Sequence, residues 1–206
     1  MKIEKVIDKL QHRKPSILGY KDFFKSAVLL PLININGETH ILFEVRSLKL
    51  RRQPGDICFP GGRIDTNDPT PRAAALRETT EELGIPEGEI ADVLPLDYIV
   101  SDFGRIVYPF VGEITTNHSF ELNKDEVEDI FTVPLDFFLT TTPEIHYVSM
   151  QITPDSDFPY ASIIGGKDYD WQVHRMEEMF YYYEGRVIWG LTAKIIAHFI
   201  ELLESE

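Results

Sequence analysis

Apolar and β-branched residues are densest in two neighbouring runs, Ser26 to Ile35 and Glu38 to Val45, with Asn36-Gly37 between them. Two such runs joined by an Asn-Gly pair predict a β-hairpin. Further runs of strand character cover Ile90–Val100, Val107–Thr115, Ile145–Thr153 and Met179–Tyr183. Helical spacing marks both ends of the chain. Ile3, Val6, Ile7 and Leu10 recur at helical intervals within residues 1–13, which predicts a helix covering the core. Ile195, Ile196, Phe199 and Leu203 share one side of a helix over about Thr192–Leu203. A third helix ends at Leu83, because Gly84 is a stop residue and Pro86 follows. Strands around this internal helix, with a closing helix at the end, imply an α/β sandwich with a mixed sheet.

The internal helix carries the candidate chemistry. In Arg77-Glu78-Thr79-Thr80-Glu81-Glu82 the three carboxylates stand at i, i+3 and i+4, on one face within one turn. They repel one another and oppose the negative end of the helix dipole. A bare E-x-x-E-E is more readily a solvated acidic helix end. Here, however, an apolar strand, Ile57-Cys58-Phe59, and a turn, Pro60-Gly61-Gly62, precede it, and backbone can approach a ligand closely at such a turn. The cation such an oxygen-donor cluster calls for is Mg²⁺ or Mn²⁺. In the intervening loop Asp68 is placed to cap the helix, and the prolines suit a helix start.

Charge narrows the ligand. A formal net charge of −14 over 206 residues argues against nucleic acid and anionic membranes as partners, since both require a basic field. A polyanionic small-molecule substrate must then be met by a local basic cluster, and Arg46, Lys49, Arg51 and Arg52 provide one just ahead of the glycine turn. Arg side chains suit bidentate phosphate recognition. The single cysteine excludes an internal disulfide, and with no signal-like N-terminus or membrane-length apolar run the expected compartment is cytoplasmic. The aromatic run Phe180-Tyr181-Tyr182-Tyr183 is expected in the core or at a homodimer interface. The six His residues show no ligand spacing.

Gly62 followed by Arg77-Glu78-Thr79-Thr80-Glu81-Glu82-Leu83-Gly84-Ile85 resembles the Nudix box, G-x5-E-x7-R-E-U-x-E-E-x-G-U with U apolar. Thr79 replaces the aliphatic U, and Asp68 falls at the early acidic position with one extra residue before Arg77, which leaves Asp68 without an implied metal role. The run Leu42–Gly62, LFEVRSLKLRRQPGDICFPGG, is similar to the signature of the coenzyme A pyrophosphatases in that family, L-L-T-x-R-S-x-x-L-R-x-H-x-G-x-V-A-F-P-G-G. It matches without a gap at Leu42, Arg46, Ser47, Leu50, Arg51, Gly55 and Phe59-Pro60-Gly61-Gly62. Glu44 stands for the signature Thr and Gln53 for its His.

Residues 1–206 are expected to form one domain, with the Nudix box at about 61–85 and the 1–13 helix as an extension. The resemblance runs from Leu42 to the last helix, leaving out the first 25 residues and Pro154–Arg175, and implies an α/β/α sandwich. It implies metal ligands at Glu78, Glu81, Glu82 and the Gly61 carbonyl, with Arg77 orienting the glutamates. The general base it implies is Glu78 or a glutamate from a later loop, where Glu126 and Glu128 are available. Arg46, Ser47, Arg51, Arg52 and Gln53 would meet the substrate. The implied reaction is hydrolysis of coenzyme A or its thioesters to 3′,5′-ADP and 4′-phosphopantetheine. ADP-ribose or another nucleoside diphosphate derivative is the alternative substrate, and a non-catalytic binding module the alternative class.

Overall fold

The computed structural model describes residues 1–101, 104–116 and 118–205. The hairpin forms as its sequence dictates: β1 (Phe24–Ile35) and β2 (Glu38–Arg46) pair up to Ile35 opposite Glu38. Asn36 and Gly37 take φ of 54° and 92°, and Gly37 N–H donates to Asn34 Oδ1 at 3.0 Å. Next come β3 (Ile57–Cys58), β4 (Gly61–Arg63) and the helix α2 (Pro71–Leu83), the helix α1 (Ile3–Leu10) lying ahead of them all. After α2 follow β5 (Ile90–Pro95), β6 (Ile99–Ser101), β7 (Arg105–Ile114), β8 (Val127–Pro134) and the short helix α3 (Leu135–Thr140). A second sheet of β9 (Glu144–Met150), β10 (His174–Tyr183) and β11 (Arg186–Trp189) leads into α4 (Gly190–Glu204).

The mixed character of the main sheet comes from its centre. β1 lies parallel to β7, Phe24 opposite Arg105 through Ile33 opposite Ile114, a pairing that requires the crossover α2 supplies. The other pairings are antiparallel. β2 leaves β1 after Ile41, then takes β3 beside Glu44 and Val45, while β1 takes β4 beside Ser26, Ala27 and Val28. The sheet therefore splits, and Pro60-Gly61-Gly62 sits in the split.

Strand alternation sends side chains to two cores. Ala27, Leu29 and Leu42 meet Ala74, Ala75, Leu76 and Leu83 of α2 on one face. Leu30, Ile41, Phe43 and Phe138 meet Ala193, Ile195, Ile196 and Phe199 of α4 on the other. By the same alternation Glu44 faces α2.

Three expectations about the secondary-structure elements need correction. Helix α1 has no buried residue, and Ile3, Ile7 and Leu10 of its apolar stripe are exposed; periodicity marks an amphipathic face but not a surface to receive it. The run Ile90–Val100 is two strands on β7: β5 ends at Pro95 and β6 starts at Ile99, and β5 itself carries a register shift between Ala91 and Leu94. Leu203 is exposed in the last turn of α4. Asn123–Glu126 is a turn leading into β8. Among the described residues no helix is long and apolar enough to cross a membrane.

Candidate active site

Helix α2 is capped by Thr70, whose Oγ1 accepts from Ala73 N–H at 3.1 Å, with Pro71 in the first helical position. Thr70 rather than Asp68 is thus the cap. Gly84 closes the helix at φ 65°, and its N–H donates to Thr80 O at 3.0 Å. Thr79, the unusual residue of the motif, is fully buried and donates its hydroxyl to Ala75 O at 2.7 Å. This bond lets Thr79 fill an aliphatic position without an unpaired donor.

Asp68 instead holds Arg77. Its two oxygens accept from Arg77 Nε and Nη2, both at 3.0 Å. The same guanidinium donates to Glu78 Oε1 at 3.0 Å, Glu81 Oε2 at 3.1 Å and Arg63 O at 3.2 Å. Hydrogen bonding to Arg77 keeps the Asp68 carboxyl below its ordinary range, and the Asp68 bond foremost pushes the Arg77 pKa up.

The three carboxylates share a helix side but not an environment. Glu81 is exposed beside Arg77, Glu78 is partly buried, and Glu82 is 7% exposed with Oε2 accepting from Gly61 N–H at 2.8 Å. Burial, with the nearby charges of Glu78 and Glu126, pushes the Glu82 carboxyl up to about 8 against the pull of the Gly61 N–H and Arg46. Burial also raises Glu78, opposed by Arg77. The glycine turn makes room for this packing. A Cβ on Gly62 would lie 2.5 Å from the Glu78 carboxyl, and one on Gly61, at φ 147°, would collide with Ala27 O and Val28.

The basic stretch does not gather as one patch. Arg46 is half-buried and turned toward Glu44, Cys58 and Glu82, its Nε buried without a partner. Lys49 pairs with Asp125 at 3.0 Å on the surface, and Arg51, Arg52 and Gln53 are exposed on the loop. Ser47, expected at the substrate, is fully buried. Its N–H donates to Glu126 O at 2.8 Å and its Oγ to Lys124 O at 3.2 Å, so its contacts tie down the 124–126 turn. That tie brings Glu126 near Glu44, Glu78 and Glu82, all of which feel its charge. Cys58 is an inert packing residue, its thiol pushed up to about 12 by burial.

Two features of the site have no role implied by the sequence motifs. One is Glu44, 1% exposed, which burial first and Glu82 second push well above the ordinary carboxylate range. The other is a second basic group. A cavity of about 370 Å³ is lined by Ser101, Arg105, Glu178, Gly190 and Lys194 among others. Arg63 and Arg105 lie 5.3 and 5.6 Å from the Phe24 ring, which connects this cavity to the Arg77 network through Arg63. Arg63 is placed by the β4–β1 pairing, Arg105 by the β7–β1 pairing and Lys194 by α4, so no local motif announces them.

Among the described residues, no three His, Cys, Asp or Glu side chains already form a metal cage. Glu78 and Glu81 are turned to Arg77, and Glu82 to the Gly61 N–H. The donor set nevertheless fits a hard divalent cation: buried carboxylates that repel one another, and a buried Glu44 Oε1 with no partner.

Residues 24–151 match the model of the NUDIX domain. The chain is 40% identical to the peroxisomal coenzyme A diphosphatase of Mus musculus over 65% of its own length and 56% of that protein's, so it spans little more than half of that relative. It is 35% identical to an uncharacterised Nudix hydrolase of Photorhabdus laumondii over 83% of this chain and 80% of that one. A MutT/nudix family protein from Enterococcus faecalis shares the fold, with a TM-score of 0.51 at 14% identity, covering 100% of this chain and 71% of that one.

Proposed function

This chain belongs to the Nudix family of hydrolases, and from that membership we propose that it cleaves the diphosphate linkage of coenzyme A or its derivatives to 3′,5′-ADP and 4′-phosphopantetheine. The observation that carries this reading is the ungapped run Leu42–Gly62, which leads a basic loop straight into the glycine turn beneath Glu78 and Glu82. The name of the mouse relative supports the same substrate. The whole chain, residues 1–206, is read as one Nudix domain.

A diphosphate repels an incoming nucleophile, so the site must neutralise charge and place a water in line. Glu78, Glu81, Glu82 and the Gly61 carbonyl would hold Mg²⁺ or Mn²⁺, which when bound polarises a phosphoryl oxygen and acidifies the attacking water. Arg77, fixed by Asp68, orients Glu78 and Glu81. Glu78 or Glu126 accepts the proton of the water as its oxygen bonds to phosphorus and the bridging P–O bond breaks. Arg51 and Arg52 on the loop, with Arg63 and with Arg105 and Lys194 of the neighbouring cavity, supply the positive charge for a substrate with a further phosphate. The lone, half-buried Cys58 fits a reducing compartment, the cytoplasm by default.

Incubation with coenzyme A and Mg²⁺ or Mn²⁺, followed by mass analysis, tests the reading. It predicts 3′,5′-ADP and 4′-phosphopantetheine in equal amounts; intact coenzyme A beside hydrolysed ADP-ribose would move the chain to the alternative substrate class.

A further inference from the structure

Glu44 has no counterpart in the motif that defines the site. It lies on β2 opposite Cys58 of β3 and Ile130 of β8, at the split of the sheet, and its alternation aims it at α2. It is 1% exposed, its carboxyl is within hydrogen-bond reach of Glu82, and its Oε1 is buried without any partner. The coenzyme A pyrophosphatase signature carries Thr here, a neutral residue of smaller volume, so packing does not demand a carboxylate. A buried, unpaired carboxylate is costly unless something compensates it. Among the charges bearing on the cluster, Glu44, Glu78, Glu81, Glu82 and Glu126 meet Arg46 and Arg77, an excess of negative charge.

We propose that Glu44 supplies an additional carboxylate to the divalent cation of this site, from the sheet side, opposite the glutamates of α2. The proposal rests on the reading above that Glu78, Glu81 and Glu82 hold such a cation. A donor on β2 sits on a strand paired on both edges, whereas Glu81 is an exposed side chain near a helix end. Glu44 thus adds a rigid oxygen ligand, which favours a cation that tolerates little ligand movement.

The alternative is a purely structural acid pair in which Glu44 and Glu82 share a hydrogen bond. Mn²⁺ binding to the intact protein without substrate, measured by calorimetry and by electron paramagnetic resonance, separates the two. Glu44→Gln keeps the size and a hydrogen-bonding group, and should weaken Mn²⁺ binding by roughly tenfold or more, or remove one bound Mn²⁺, while the metal-free melting temperature holds or rises. Glu44→Thr, which installs the signature residue, should lose Mn²⁺ affinity to a similar degree and covers the case in which the Gln variant does not fold. Wild-type affinity and stoichiometry in a folded Glu44 variant overturns the proposal. Glu82→Gln is the control. If it loses Mn²⁺ while the Glu44 variants keep it, only the role of Glu44 fails; if all bind as wild type, the metal reading of the whole cluster fails with it.

Discussion

Asp68 grips Arg77 side-on, its two oxygens each 3.0 Å from the Nε and Nη2 of the guanidinium. The residue that sits one position out of step with the motif thereby fixes the arginine that in turn touches Glu78 and Glu81. Asp68→Asn should leave the fold intact but loosen Arg77, lowering kcat by roughly tenfold as outer-shell losses do, with little change in KM. Steady-state kinetics beside a thermal melt checks this. Full activity would mean that Arg77 holds its glutamates without Asp68.

Glu82→Gln should remove most turnover while the metal-free protein melts no lower than wild type. The substitution deletes a buried charge repelled by Glu78 and Glu126 and keeps an oxygen to accept the Gly61 N–H. Glu81→Gln should also lose turnover, although its exposed side chain leaves the melt unmoved. Near-normal rates in both would sink the metal assignment.

The pH dependence of the metal-free protein follows from the same burial. Glu82 rises from 4.5 to about 8 on folding, so between those values the folded chain holds a proton the unfolded chain has released. Stability from this group is full below about 4.5 and is lost as the pH climbs to about 8; Glu44, also raised, acts in the same sense. Melting temperature should therefore fall from pH 5 toward pH 8 without metal, and the stabilisation given by Mn²⁺ should grow over the same interval. Melts across this range with and without Mn²⁺ check both slopes, and a metal-free curve that rises with pH would contradict the buried-carboxylate account.

Much of this was legible in the chain. The Asn36-Gly37 hairpin, the Gly84 stop and the carboxylates of α2 are set by local chemistry, and local chemistry reads directly from residue order. What stayed hidden depends on pairing distant in sequence. Glu44 resembles any polar residue on a strand until β2 is seen to face α2 across the split sheet. Arg105 and Lys194 become neighbours only through the parallel β1–β7 pair and the approach of α4. The motif resemblance puts Ser47 at the substrate, yet its hydroxyl and amide hold the turn that carries Glu126.

Arg51 separates two ways of binding coenzyme A. It is exposed on the loop before the glycine turn. If it meets the 3′-phosphate, Arg51→Ala should raise KM for coenzyme A on the order of tenfold, and should leave 3′-dephospho-coenzyme A nearly unchanged. Equal losses on both substrates would assign Arg51 to the diphosphate and leave the 3′-phosphate to Arg63, Arg105 and Lys194.

The proposed activity is that of a metal-dependent diphosphatase selective for coenzyme A. Its most direct test is kcat/KM measured side by side for coenzyme A, 3′-dephospho-coenzyme A and ADP-ribose, with Mg²⁺ or Mn²⁺ and again with chelator. The account predicts the highest value for coenzyme A, a lower one for the dephospho form, the lowest for ADP-ribose, and no turnover with chelator. A higher value for ADP-ribose than for coenzyme A, or turnover that survives chelation, would contradict it.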